Sequence, residues 1–356
     1  MSSVSWFAKA LGPWYREHHR PLPWRATRDP YRIWLSEVML QQTRVDQGIG
    51  YYHRFLEAFP TVHDLAAASE REVLRLWQGL GYYSRARNLH AAARQVVREH
   101  GGRFPADHAA LRALPGVGDY TAAAVASIAF GLPEPVVDGN VYRVLARVFG
   151  IADPIDGTAG RRTFRELAAR LLDPAEPGTH NQAVMELGAL VCTPRNPACS
   201  ACPLASRCIA RKQDRIAGLP VKQGRTRVRD RWFHYVWVEQ DGGIFLRERP
   251  AGDIWQGLWE PPLIEGTRQL GTRAMANALM ELTRSGPWKL QGPLHEVRHV
   301  LSHQHLHTRF WTAEAPAGLR PPADWQLVPP KELGQYPLPR LVERWVEVLI
   351  GPLLPE

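Results

Sequence analysis

The 356 residues carry 45% hydrophobic and 22% charged side chains and no run of 18 apolar residues; this is the balance of a two-domain globular chain and excludes wholesale disorder, fibrous repeats and a membrane-spanning helix. The formal net charge of +9 divides into +5 over residues 1–210, +6 over 211–231 and −2 over 232–356, so the cations sit where a polyanion such as DNA or RNA would be met. The first twenty residues lack the apolar core of a secretory leader and the four cysteines are too few for a disulfide scaffold, so the expectation is a cytoplasmic protein of a reducing compartment.

In chain order, residues 1–210 read as an all-α domain. Asp29-Pro30 is an N-cap followed by Pro at the first helical position. From Tyr31 to Leu40 the residues Ile33, Trp34, Glu37, Val38 and Leu40 fall at helical spacings. Further helices are expected near 45–58, 64–78, 84–99, 119–130, 140–149, 160–172 and 180–190. The most apolar stretch, Ala183 to Cys192, is interrupted by Glu186. Residues 211–231, with eight cations among Gly218, Pro220 and Gly224, read as a basic linker. Beyond it the texture is α+β. Strands are expected at 232–239 and 244–248 around an Asp241-Gly242-Gly243 turn and at 308–311, with helices at 274–282 and 341–350.

Three motifs carry chemistry. Leu114-Pro115-Gly116-Val117-Gly118 joins two helices, and its glycines let backbone amides turn toward an anion at the start of the next helix; an ordinary helical hairpin is the alternative. Asp138 is placed as an N-cap, where the helix dipole and backbone N–H groups favour the charged carboxylate. Glu37 lies on the apolar face of its helix, where burial favours the protonated form. Either residue is also accounted for by a capping or buried structural role. Together they offer the pairing of acid and carboxylate that cleaves a glycosidic bond. Cys192, Cys199, Cys202 and Cys208 follow C-x6-C-x2-C-x5-C. That spacing serves zinc or an iron–sulfur cluster, and four ligands within 17 residues broken by Pro194, Pro197 and Pro203 favour a cluster wrapped by a loop.

The cysteine spacing, the L-P-G-V-G hairpin, Val136-Val137-Asp138-Gly139-Asn140, Ser36-Glu37-Val38-Met39-Leu40-Gln41-Gln42-Thr43 and Gly79-Leu80-Gly81-Tyr82-Tyr83-Ser84-Arg85 together resemble the MutY branch of the endonuclease III-related, helix-hairpin-helix DNA glycosylases. The resemblance implies a 4Fe–4S cluster on the four cysteines. It implies that Glu37 protonates adenine at N7 and that Asp138 stabilises or bonds to the sugar cation, with Tyr120 and Asn140 in support. Gln42 and Tyr82 are implied to wedge into the duplex as the base is flipped, Gly116, Val117 and Gly118 to hold DNA backbone, and Arg20, Trp24 and Gln182 to line the adenine pocket. Lyases of the related branch carry Lys where this chain has Tyr120, and residues 10–211 contain no Lys, so a monofunctional enzyme is expected.

Gly257-Leu258-Trp259-Glu260-Pro261-Pro262 resembles the Nudix-like C-terminal domain of the same branch, which reads 8-oxoguanine opposite the target adenine. The family's Phe-Ser-His appears as Leu301-Ser302-His303. The region 272–285 holds one acid, Glu281, so neither Nudix hydrolysis nor a metal is expected there. The expected architecture is therefore multidomain: an all-α helix-hairpin-helix domain with an iron–sulfur loop over 1–210, a linker over 211–231 and an α+β Nudix-like domain over 232–356. The expected partner is double-stranded DNA with adenine opposite 8-oxoguanine or guanine, bound by a monomer. A non-catalytic iron–sulfur DNA-binding protein and an endonuclease III-like pyrimidine glycosylase are the competing readings.

Overall fold

The computed structural model describes residues 3–224 and 228–351. It divides into two units, Met1–Ala67 with Asn88–Gly224, and Ala68–Arg87 with Arg225–Glu356. None of the described helices is long and apolar enough to cross a membrane.

The first unit is helical. Its helices include Ser3–His18, Pro30–Met39, Val45–Ala58, Val62–Ala67, Asp119–Phe130, Gly139–Phe149, Thr158–Leu171 and Pro177–Leu190. Asp29 caps Pro30–Met39 by accepting from the Tyr31 N–H. The Ser3–His18 helix, absent from the sequence expectation, packs Phe7, Leu11 and Trp14 against Val144, Leu145, Leu187 and Leu204 in one core. The single helix expected over 64–78 is two, because Ser69 forms a reciprocal capping box with Glu72 and starts a new helix at Glu70.

Two boundaries differ from expectation. Residues 211–224 belong to the helical unit rather than to a linker. Arg147 donates to the carbonyls of Ile216 and Leu219, Ile155 donates its N–H to the Val221 carbonyl, and Asp156 accepts the amides of Gln223 and Gly224. The remainder of the expected linker includes residues 225–227, which lie outside the described residues, and from Arg229 the chain is already strand. Residues 68–87, expected in the helical domain, pack with the second unit. The Arg71 guanidinium lies over Trp259 and Tyr336, Gln78 accepts the Leu338 N–H, and Arg87 donates to the Gln256 carbonyl over 2.6 Å.

The second unit is built on a mixed sheet of β1 (Arg229–Gln240), β2 (Gly243–Glu248), β3 (Trp259–Glu260), β4 (Leu263–Gly266), β5 (Lys289–Val300), β6 (Gln304–Glu314) and β7 (Trp325–Val328). The order is β3-β2-β1-β6-β5, with β4 on β1 and β7 on β2; β1 and β6 run parallel and the other pairs antiparallel. The β1–β2 hairpin turns on Asp241 and Gly242, both at positive φ, as a two-residue turn matched to strand twist demands. Both faces of β1 are buried. Phe233, Tyr235 and Trp237 pack with Leu341, Val342 and Trp345 of the Arg340–Ile350 helix, while Val236 and Val238 pack with Met275 and Leu279 of the Thr272–Thr283 helix.

Candidate active site

A cavity of ≈ 460 Å³ in the helical unit is lined by Glu37, Tyr120, Asp138 and Asn140, together with Arg20, Trp24, Gln182 and Glu186; that is a volume suited to a small-molecule-sized group. The geometry thus gathers the expected carboxylates, their two supporting residues and the three expected pocket residues.

Glu37 is buried on the Pro30–Met39 helix. Burial, opposed by the Tyr120 hydroxyl, which donates to Oε2 over 2.6 Å, reinforced by Asp138 and opposed by Arg25, leaves its carboxyl pushed up to about 7. The Tyr120 hydroxyl itself is raised well above its ordinary range, chiefly by burial. Met185 Sδ lies 3.6 Å from the same hydroxyl.

Asp138 caps the Gly139–Phe149 helix. Its Oδ1 accepts the Val141 N–H over 2.7 Å and its Oδ2 accepts the Asn140 amide over 2.8 Å. All of these partners favour the carboxylate, as expected of a cap. Burial nevertheless prevails and the carboxyl is raised above its ordinary value. This corrects the expectation from the N-cap position alone, because the cap is half-buried in the cavity wall rather than open at a surface.

Glu186, which interrupts the most apolar run of the chain, proves to be a member of the site. It is fully buried and accepts Arg20 through Nε (2.9 Å) and Nη2 (2.7 Å) and Arg25 through Nη1 (2.8 Å) and Nη2 (2.7 Å). Burial would raise this carboxyl; the hydrogen bonds from Arg25 and Arg20 overcome it and hold it down at about 2. Gln182 is oriented by the Tyr15 hydroxyl over 3.2 Å. A charge placed in an otherwise apolar helix was the available signal for Glu186, but its arginine partners come from more than 160 positions away.

The four cysteines are free thiols around one cavity closed by Leu187, Val191 and Pro197. Burial raises Cys202 to about 11 and also raises Cys192, so these two are costly to keep as bare thiolates, and the four sulfurs around one cavity fit a cationic cofactor that would take them up. Arg147 approaches Cys192 Sγ at 3.5 Å and ties down the Thr193 and Pro194 carbonyls. Arg143 joins this loop to the cavity. It donates to the Cys192 carbonyl (2.6 Å), the Gly188 carbonyl (2.7 Å) and Asn140 Oδ1 (2.7 Å). Neither arginine was anticipated from the sequence.

The remaining expected residues are placed as follows. Gly116, at φ 71°, cannot take a side chain, since a Cβ would lie 2.6 Å from that of Asn88; Gly118 begins the Asp119–Phe130 helix with open space around it; Val117 is buried between them. Gln42 (φ 57°) and Tyr82 (φ 48°) are both exposed non-glycine residues in the left-handed region, a strained conformation typical of functional loops. Ser302 and His303 are exposed in the β5–β6 turn, with Ser302 Oγ 3.2 Å from His303 Nδ1. Leu301 packs down on the core of the second unit. His305 and His307 face Asp230 at 3.5 and 2.6 Å.

Three family models match the chain: the HhH-GPD superfamily of base excision DNA repair proteins over residues 35–170, the iron–sulfur binding domain of endonuclease III over 192–208, and the NUDIX domain over 234–348. The chain is 38% identical to an adenine DNA glycosylase of Mus musculus over 384 residues, covering 91% of this chain and 74% of that protein. It is 40% identical to that of Rattus norvegicus, covering 85% and 69%. A solved thermostable thymine-DNA glycosylase superposes with a TM-score of 0.55 at 31% identity, over 59% of this chain and 97% of that one. An endonuclease III–DNA complex at 24% identity and a TM-score of 0.51, over 59% and 96%, shares the fold.

Proposed function

The chain belongs to the adenine DNA glycosylase family, a hydrolase of base excision repair that acts on DNA and carries an iron–sulfur site, and from that premise we propose a monofunctional enzyme that removes adenine paired with 8-oxoguanine or guanine. The observation that carries the proposal is the single cavity holding two carboxyls with different hydrogen-bond partners, one hydroxyl on Glu37 and a backbone and an amide donor on Asp138. Glu37, held near 7 with few polar partners, is poised to give a proton to the departing base. Asp138, wrapped by donors that favour its charge, faces the electron-poor sugar and stabilises it through an oxocarbenium-like state. Tyr120 and Asn140 orient these two groups. The guanidiniums of Arg20 and Arg25, fixed by Glu186, with Trp24 and Gln182, form the wall that meets the adenine. With Tyr120 where a lyase would carry an amine, the reaction ends at base release.

Cys192, Cys199, Cys202 and Cys208 would hold a 4Fe–4S cluster, whose chemistry here is to bind four thiolates at once and so fix the loop. The match of residues 192–208 to the iron–sulfur binding domain of endonuclease III favours a cluster over zinc. Ser302 and His303, each able to donate and accept, are proposed to read the altered edge of 8-oxoguanine. Gln42 and Tyr82 are proposed as duplex wedges and Gly116 to Gly118 as a backbone grip. We place the enzyme in the cytoplasm as a monomer.

The test is incubation of purified protein with duplexes bearing adenine opposite 8-oxoguanine, adenine opposite guanine, and oxidised pyrimidines. Excision confined to the first two, with strand breaks appearing only after alkali, is the expected result. Borohydride trapping of a covalent complex, or release of oxidised pyrimidines, would overturn it.

A further inference from the structure

We infer that a second cavity in the helical unit, built on Arg161, Arg162 and Arg165, seats a phosphate of the DNA backbone next to the target nucleotide. The cavity measures ≈ 300 Å³. Tyr120 lines both it and the excision cavity, and Val137, the neighbour of Asp138, forms part of its wall. A strand that delivers a base to one side of Tyr120 therefore carries its backbone close to the other.

The electrostatics of this cavity are one-sided. The Thr158–Leu171 helix starts after Gly157 without a side-chain cap and has no acid in its first turn. Arg161 and Arg162 follow at its fourth and fifth positions, toward the positive end of the helix dipole, and Arg165 lies one turn beyond Arg161, where like charges repel. Among the described residues the side chains of Arg162 and Arg165 make no ion pair or hydrogen bond, and that of Arg161 makes only a long 3.4 Å bond to the Asp156 carbonyl. The one carboxylate lining the cavity, Asp119, is committed to Arg112 at 2.8 Å. His108 Nε2, also at this cavity, is shielded from water and unpartnered. Three exposed guanidiniums with no carboxylate partner attract an anion, and their fork of donors matches a phosphodiester. None of these residues belongs to the Gly116–Gly118 hairpin, so the seat is additional to it.

The experiment uses the full chain with Arg162→Gln and Arg165→Gln combined, and measures duplex affinity from 50 to 200 mM KCl. Losing the phosphate contact should lower the slope of log affinity against log salt by about 1 or more and weaken binding roughly tenfold at the lowest salt. The loss should be equal for mismatched and fully paired duplexes, because a backbone contact carries no sequence information. The free protein should melt no lower than wild type, since the substitutions remove repelling cations. An unchanged salt slope, or a lowered melting temperature, would overturn the inference. Inorganic phosphate at constant ionic strength separates the alternative source. Should it displace nothing from the wild type, the seat is for DNA; should it bind the wild type but not the variant while both keep the same salt slope, the site takes free phosphate and the assignment to DNA is wrong.

Discussion

The Tyr120 hydroxyl donates to Glu37 Oε2 over 2.6 Å, and this bond opposes the burial that otherwise raises the carboxyl. Tyr120 therefore tunes an acid as well as holding it. Excision that needs protonated Glu37 should be fastest below about 7 and fall as pH rises through that value. Removing the hydroxyl in Tyr120→Phe deletes the lowering influence, so the falling limb should move to higher pH. Single-turnover rates across pH 5 to 9 test this; a limb that stays in place would show that Glu37 does not set it.

The same burial has a cost in stability. Glu37 binds its proton at about 7 in the folded chain against an ordinary 4.5, so its stability contribution is greatest below 4.5 and is lost as pH rises from there to about 7. Above pH 7 the deficit is of order 3 kcal/mol. Glu37→Gln should therefore abolish excision, with losses of at least about a hundredfold, yet melt higher than wild type at pH 8 and gain little at pH 4. Thermal melts at the two pH values decide it, and equal stability at pH 8 would contradict a buried, strained acid.

Arg143 reaches from Asn140 Oδ1 to the Cys192 carbonyl and so spans the distance between the capped Asp138 and the cysteine loop. Each such bond to a charged donor is worth about 1.5–3 kcal/mol. Arg143→Gln should lower both the excision rate, by roughly tenfold or more, and the iron retained per chain. Kinetics and iron analysis on one preparation check the pairing. Full iron content with wild-type excision would mean that the bridge carries no coupling.

Much of this was legible beforehand, and the failures have physical reasons. The helices at 45–58 and 119–130 match their expected spans, the second through its run of alanines, and the cysteine spacing stands out because its ligands are close in sequence. The Ser3–His18 helix was hidden by Pro13 within it. Strand β5 was hidden because much of it is exposed and polar residues such as His295, Glu296 and Arg298 fall on both of its faces, so it shows no apolar alternation. Glu186 and Arg143 could be weighed only once distant partners were in place. Residues 211–224 looked like linker because their composition is basic, while the bonds that dock them use backbone amides and carbonyls, which composition does not reveal.

Arg87 ties the Tyr82-bearing segment to the Gln256 carbonyl within the second unit, at 2.6 Å. Arg87→Ala should loosen residues 79–86, raising amide exchange there by roughly tenfold if a bond of about 1.5 kcal/mol is lost. Exchange followed by mass spectrometry reads this directly. Protection equal to wild type would assign the ordering of the segment to Arg71 and Gln78 instead.

The two hairpin glycines are predicted to matter for different reasons. Gly116 sits at φ 71°, and an added Cβ would press to 2.6 Å from the Asn88 Cβ, so Gly116→Ala should destabilise the free protein by about 1–3 kcal/mol through backbone strain and overpacking. Gly118 has φ −89° and no atom within 4 Å of an added Cβ, so Gly118→Ala should leave the melting temperature of the free protein within a degree or two, about 0.5 kcal/mol. If the open space around Gly118 is where a DNA phosphate approaches the helix amides, the methyl group should weaken duplex binding roughly tenfold at low salt. Melting and binding measured side by side separate the two roles. Loss of stability in Gly118→Ala, or duplex affinity undiminished by it, would remove Gly118 from the DNA-facing surface.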